Sequence, residues 1–222
     1  DGVSATVLLV DALQQLGAQV EAYIPDRFSE AYGLNKPALR RLRQNGARLV
    51  VTVDCGVRSV DEVRYAHSIG LEVIVTDHHS VPPQLPPAVA VINPKQPACR
   101  YPFKQLSGVG VAYKLAEALF RVTRRAERRA DSGADAQPYM DLVALGTVAD
   151  IVPLVDENRL LVRQGLDLLR GAPRPGVAAL MSQAGVRQAA ASSTDISFRL
   201  APRLNAAGRI KSARLAYDLL RT

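Results

Sequence analysis

Two stretches decide the fold: RLVVTV at residues 48–53, running into Asp54-Cys55-Gly56, and LEVIVT at residues 71–76, running into Asp77-His78-His79. Both are short runs rich in β-branched residues, the composition of buried parallel strands. Between them, Ser59-Val-Asp-Glu62 has the spacing of a capping box and predicts a helix reaching about Ile69. A strand, a helix and a second strand make one βαβ unit, whose two strands lie parallel.

The pattern extends in both directions. Residues 88–92 (AVAVI) predict another strand after a Pro-rich turn, and residues 19–24 (QVEAYI) one ahead of Pro25. Helices are expected over 3–16, stopped by Gly17, and over 37–45, opened by Pro37 and ended by Gly46. Asp26 to Asn35 reads as a polar loop. From Gly108 on, helices are expected over 108–125, 138–149, 158–170, 175–184 and 212–221, with no strand. The stretch RRAERRADSGADAQ (124–137) reads as a frayed helix end and a solvated loop. The expected class is therefore α/β: a parallel sheet with helices on both faces, then a mainly helical part. The expected division is an α/β metal-binding half (1–107), a helical half (108–211) and the start of a linker helix (212–222). Because the chain opens on Asp1-Gly2 and stops inside a helical pattern, we expect a fragment whose first strand lies before residue 1.

Composition narrows the function. With 222 residues, 48% hydrophobic and 22% charged, the chain can build a core without cross-links. Cys55 and Cys99 are its only cysteines and form no CxxC, so free thiols in a reducing cytoplasm are expected. No apolar run is long enough to span a membrane. The net charge is +7, and only five of the 28 basic residues are lysines. An arginine excess suits a polyanionic partner without identifying one.

The strand tips carry the candidate chemistry. In an open parallel sheet, ligands bind beyond the carboxyl ends of the strands. Asp54 and Asp77 stand at successive tips, and neighbouring strands lie ~4.8 Å apart, close enough to converge on one ion. Two of the three histidines, His78 and His79, share the second tip; His67, mid-helix, reads as structural. Asp150 falls at a helix C-terminus, where an acid opposes the macrodipole, so a cation or an arginine should stand nearby. Asp54, His78 and Asp150, with Asp1, form an oxygen-rich set suited to Mg²⁺ or, given the imidazole, Mn²⁺. Such an ion beside a phosphate activates water and neutralises charge. Ser107-Gly108-Val-Gly110 opens a helix whose amides can hold phosphate, or its glycines serve close packing. Residues 202–209 (PRLNAAGR) read as a loop placing Arg203, Asn205 and Arg209 to clamp a nucleotide phosphate, or as an ordinary turn.

The segments VTVDCG (51–56), VTDHH (75–79), FKQLSGVGVAYKLA (103–116), ALGTVADIVPL (144–154) and APRLNAAGRI (201–210), with YIPDRFSEAYGL (23–34), resemble the DHH phosphoesterases in order and over essentially the whole chain. The SGVG and NAAGR segments favour the family's single-stranded-DNA-specific 5′→3′ exonucleases over its pyrophosphatases, oligoribonucleases and cyclic-dinucleotide phosphodiesterases. The resemblance implies that Asp1, Asp54, His78 and Asp150 hold metal, with Asp54 bridging two ions of Mn²⁺ or Mg²⁺ in the intact parent. It implies that His79, beside Asp77, supports the site or contacts the scissile phosphate, and that Arg203, Asn205 and Arg209 hold the nucleotide. It further implies a cytoplasmic bacterial enzyme of DNA repair and recombination that releases 5′-mononucleotides. Single-stranded DNA is its expected partner, with a single-strand-binding protein and a helicase beside the parent. A small-substrate phosphoesterase of the same family and a non-cleaving scaffold stay open as alternatives.

Overall fold

A computed structural model describes residues 1–26, 30, 33–126, 136–171, 173–210 and 212–222; for Arg209 and Ile210 it describes the backbone alone. Three parallel strands, β1 (Leu49–Thr52), β2 (Glu72–Thr76) and β3 (Ala90–Ile92), pair in the order β1-β2-β3. Val50 lies opposite Val73, and Val75 opposite Val91, so the chain ends of all three strands meet at one edge.

Strand alternation splits the sheet's two faces between two cores. Val50, Val73, Val75 and Val91 pack with Leu39 of α2 (Lys36–Gln44) and with Val63 and Ala66 of α3 (Val60–Ser68). Val53 and Ile92 point the other way, into a larger cluster built on α1 (Gly2–Gln15), α4 (Gly108–Ala126) and α5 (Met140–Ala149). The same cluster takes in α6 (Asp156–Gly171), α7 (Pro175–Gln183), the π-helical turn Ile196–Leu200 between α8 (Ser193–Asp195) and α9 (Ala201–Ile210), and α10 (Ala213–Arg221). α1 thus packs with the helical part, and α10 closes onto it through buried Tyr217 and Leu220.

Local codes set several helix ends. The Asn35 side chain accepts from Ala38 N–H at 2.8 Å, and Gly17, Gly46 and Gly70 turn the chain out of α1, α2 and α3 at positive φ. Three expectations change. Ser59 precedes α3, but its side chain makes no cap bond; Asp61 and Glu62 instead place negative charge on the first turn. Residues 19–24 form no strand, because Ala22 and Ile24 pack on the helical cluster and not beside β1. Residues 202–209 are helical: Pro202 lies inside a continuous helical run over 193–210, directly after the π-helical turn Ile196–Leu200, where the regular i→i−4 ladder is already interrupted. Of the charged stretch 124–137, residues 127–135 lie outside the described residues, as do five positions of the polar loop before Asn35.

One buried ion pair ties the helices together. Arg174 grips both oxygens of Asp141, at 2.9 and 3.2 Å, and donates to the Leu220 carbonyl at 3.0 Å. Asp141 is 1% exposed, so losing its partner strands a charge away from water. Arg174→Met is expected to cost roughly 3–5 kcal/mol of stability in thermal unfolding, and Arg174→Met with Asp141→Leu markedly less. Equal losses in the two variants would show that the charge pairing is not what matters there.

Candidate metal centre

The tips of β1 and β2, the start of α1 and the end of α5 bring four side chains to one point. His78 Nε2 lies 3.0 Å from Asp54 Oδ1, 3.5 Å from Asp150 Oδ2 and 3.8 Å from Asp1 Oδ2. Donor atoms of Asp1, His78 and Asp150 fall within 4.8 Å of one another, and so do those of Asp54, His78 and His79. His78 is 5% exposed, and its other ring nitrogen, Nδ1, is buried without a hydrogen-bond partner among the described residues. The carboxylates are what address this imidazole.

Asp54 leaves β1 with φ +60°, a left-handed conformation that Asp adopts more readily than most residues. Asp150 is the C-cap of α5. Burial pushes its carboxyl above the ordinary range; His78 pulls it down and the charge of Asp54 pushes it up. Asp1 is held by α4: Gly108 N–H donates to its Oδ2 at 2.6 Å and Val109 N–H to its Oδ1 at 2.8 Å. The helix N-terminus expected to take phosphate therefore binds a carboxylate of this chain. Gly110 N–H is also taken, by Ser107 Oγ at 3.2 Å, and Ser107 Oγ meets Thr147 Oγ1 at 2.9 Å. These glycines act through close approach. A Cβ on Gly108 would lie 2.7 Å from Asp54 Cβ, and one on Gly146 would lie 3.0 Å from Asp1 Oδ1.

Asp77 belongs to neither group of converging donors. Its Oδ2 accepts from Val57 N–H at 2.9 Å, and its Oδ1 from His78 N–H, His79 N–H and His79 Nδ1 at 2.8, 3.1 and 2.7 Å. Burial works to raise this acid's pKa, and the bonds from Val57 and His79 outweigh it, leaving Asp77 below the usual carboxylate range. The Nδ1 contact leaves Nε2 of the half-exposed His79 ring for other partners. Buried Asn93, just beyond β3, donates to the His79 carbonyl at 2.9 Å. Sequence reasoning missed Asn93, Gly146 and Thr147. Asn93 follows the third strand as Asp54 and Asp77 follow the first two, and that position was the available signal.

Other expected residues stand apart. Arg203 donates to the Arg199 carbonyl at 2.7 Å and Asn205 is exposed on α9; among the described residues no bond joins either to the cluster. The side chain of Arg209 lies outside the described atoms. Cys55 and Cys99 are free, and burial, then the charges of Asp77 and Asp54, push the Cys55 thiol up to about 12.

Residues 1–147 match the DHH family, N-terminal domain. Single-stranded-DNA-specific exonuclease RecJ of Bacillus subtilis (strain 168) is 47% identical over 220 residues, covering 99% of this chain and 26% of that protein. RecJ of Escherichia coli (strain K12) is 43% identical over 226 residues, covering 99% and 39%. A crystal structure of exonuclease RecJ bound to manganese matches with a TM-score of 0.82 at 34% identity, over 99% of this chain and 53% of that one. RecJ in complex with Mn²⁺ from Thermus thermophilus matches at 0.77 and 32% identity, over 100% and 30%. The chain thus spans well under half the length of these curated relatives.

Proposed function

The chain belongs to the DHH family, and from that premise we propose that it is the metal-binding catalytic part of a single-stranded-DNA-specific 5′→3′ exonuclease serving DNA repair and recombination. The convergence of Asp1, Asp54 and Asp150 on His78 Nε2 carries the reading. The site fits a hard divalent cation. Three carboxylates and one imidazole are the donors that Mn²⁺ and Mg²⁺ accept, and burial of mutually repelling acids is a cost a cation relieves. Asp1, Asp54, His78 and Asp150 would hold one ion, and Asp54 would help to hold a second in the whole protein. Bound there, such ions lower the pKa of water and offset phosphate charge.

The chain's own groups do the rest. The amides of Gly108 and Val109 fix the Asp1 carboxylate without a mobile side chain. Asp77 sets the tautomer of His79 by accepting at Nδ1, so Nε2 of the neutral ring accepts a water proton and, once protonated, donates to a phosphate oxygen. In the same reading Arg203, Asn205 and Arg209 of α9 grip the nucleotide once the rest of the protein closes over it, and Ser107, Gly108 and Gly110 act through Asp1. The +7 net charge favours the nucleic-acid backbone. Among the described residues no helix is long and apolar enough to cross a membrane. A bacterial cytoplasmic setting, with a single-strand-binding protein and a helicase delivering substrate, belongs to the same proposal.

The test is a Mn²⁺-supplemented assay of the full-length protein on a 5′-labelled single strand, its duplex and a dinucleotide. Mononucleotides released from the single strand alone are expected. Cleavage of the dinucleotide with an intact strand would make this a small-substrate member of the family, and no cleavage at all a scaffold.

A further inference from the structure

Ile151 follows Asp150 at the C-terminal end of α5, with φ +60°. That position is where a helix most often ends on glycine, because a Cβ there meets the following carbonyl. For a β-branched residue this backbone is a strained outlier. Strain of this kind persists when something compensates it. The core does not, because Ile151 is 89% exposed. Leu154 and Val155 follow it, also exposed, giving an apolar lip between α5 and α6. The lip begins one residue from a carboxylate whose Oδ2 is 3.5 Å from His78 Nε2. Consecutive Cα atoms are about 3.8 Å apart, so Ile151 stands at the rim of the cluster.

A nucleotide is charged at one end and apolar on the faces of its base. We infer that Ile151 is the rest on which the nucleobase of the 5′-terminal nucleotide packs while its phosphodiester lies at the Asp54–His78–Asp150 cluster. This rests on the nuclease reading above. A stiff β-branched side chain offers a base a fixed apolar surface at little loss of rotamer freedom. An aliphatic rest meets any of the four bases, because all have apolar faces, so it suits a nuclease without sequence preference. Ile151 acts by positioning, holding the terminal nucleotide against the cluster.

The experiment compares the full-length wild type with Ile151→Gly and Ile151→Ala, on strands ending in an ordinary or an abasic 5′ nucleotide. Glycine relieves the strain, so the melting temperature of Ile151→Gly should stay level or rise. On the ordinary strand its KM should rise roughly ten-fold with kcat little changed, the factor a loss of about 1.4 kcal/mol gives. On the abasic strand the wild type should already show the raised KM, and the substitution should add nothing. A KM penalty of equal size on both strands would overturn the inference, since Ile151 would then serve a contact within the protein. An unchanged KM on the ordinary strand would overturn it as well. A wild type that leaves both strands intact fails differently, because it removes the nuclease reading itself.

Discussion

Asp54→Asn is expected to weaken Mn²⁺ binding at least about a hundred-fold in calorimetric titration of the full-length protein, at the upper end of what losing merely an outer-shell partner costs. Asn keeps the shape of the side chain and, like Asp, tolerates the left-handed backbone that Asp54 adopts at φ +60°. The substitution therefore removes a charge and leaves the turn alone. In the metal-free protein the sign reverses. Burial and the charge of Asp54 both push the Asp150 carboxyl up, so deleting that charge eases a crowded site, and the melting temperature should hold or rise. Lost affinity with undiminished stability is the signature of a group placed for a ligand and not for the fold. Undiminished Mn²⁺ binding by Asp54→Asn would place the metal elsewhere. A lowered melting temperature without metal would mean that the 3.0 Å contact with His78 holds the two strand tips together by itself.

The parts of this molecule written in short-range signals were legible. VVT and VIVT form strands because branched residues fill both of their faces, and the acids just after them had to fall at one sheet edge once the strands were parallel. The ends of α1 and α2 lie within two residues of expectation because Gly17, Gly46 and Asn35 encode them locally. The failures share a cause. Residues 19–24 alternate like a strand, yet what their apolar side chains pack against is settled by helices distant in sequence. Pro202 and Gly208 look like breakers, but Pro202 follows the π-helical turn Ile196–Leu200, where the helix ladder is already shifted, and the run continues to Ile210. The role of Ser107-Gly108-Val-Gly110 hinged on Asp1, more than a hundred residues away, arriving to use its amides. A motif shows that donors exist; the fold decides which acceptor reaches them.

That last point makes Gly108→Ala a sharp test. Intrinsic propensity favours alanine over glycine in a helix by up to ~1 kcal/mol, so sequence reasoning alone expects stabilisation. The site expects the reverse. The added Cβ would fall 2.7 Å from Asp54 Cβ, 2.8 Å from Asp54 Oδ1 and 2.9 Å from Asp1 Oδ2. The nearest of these is anchored directly on a backbone in an uncommon conformation, so it cannot swing aside as a long side chain would. Overpacking of this kind costs roughly 1–3 kcal/mol, enough to overturn the propensity gain. Whatever movement relieves it must displace Asp54 or Asp1, two of the four groups that would hold metal, so Mn²⁺ affinity should fall with stability. Gly171→Ala, at the end of α6 with nothing within 4 Å of the added carbon, supplies the control and should be neutral or mildly stabilising. If Gly108→Ala melted as high as that control and bound Mn²⁺ as the wild type does, the glycine would be a helix residue like any other, and the close seating of Asp1 and Asp54 against α4 would have no part in building the site.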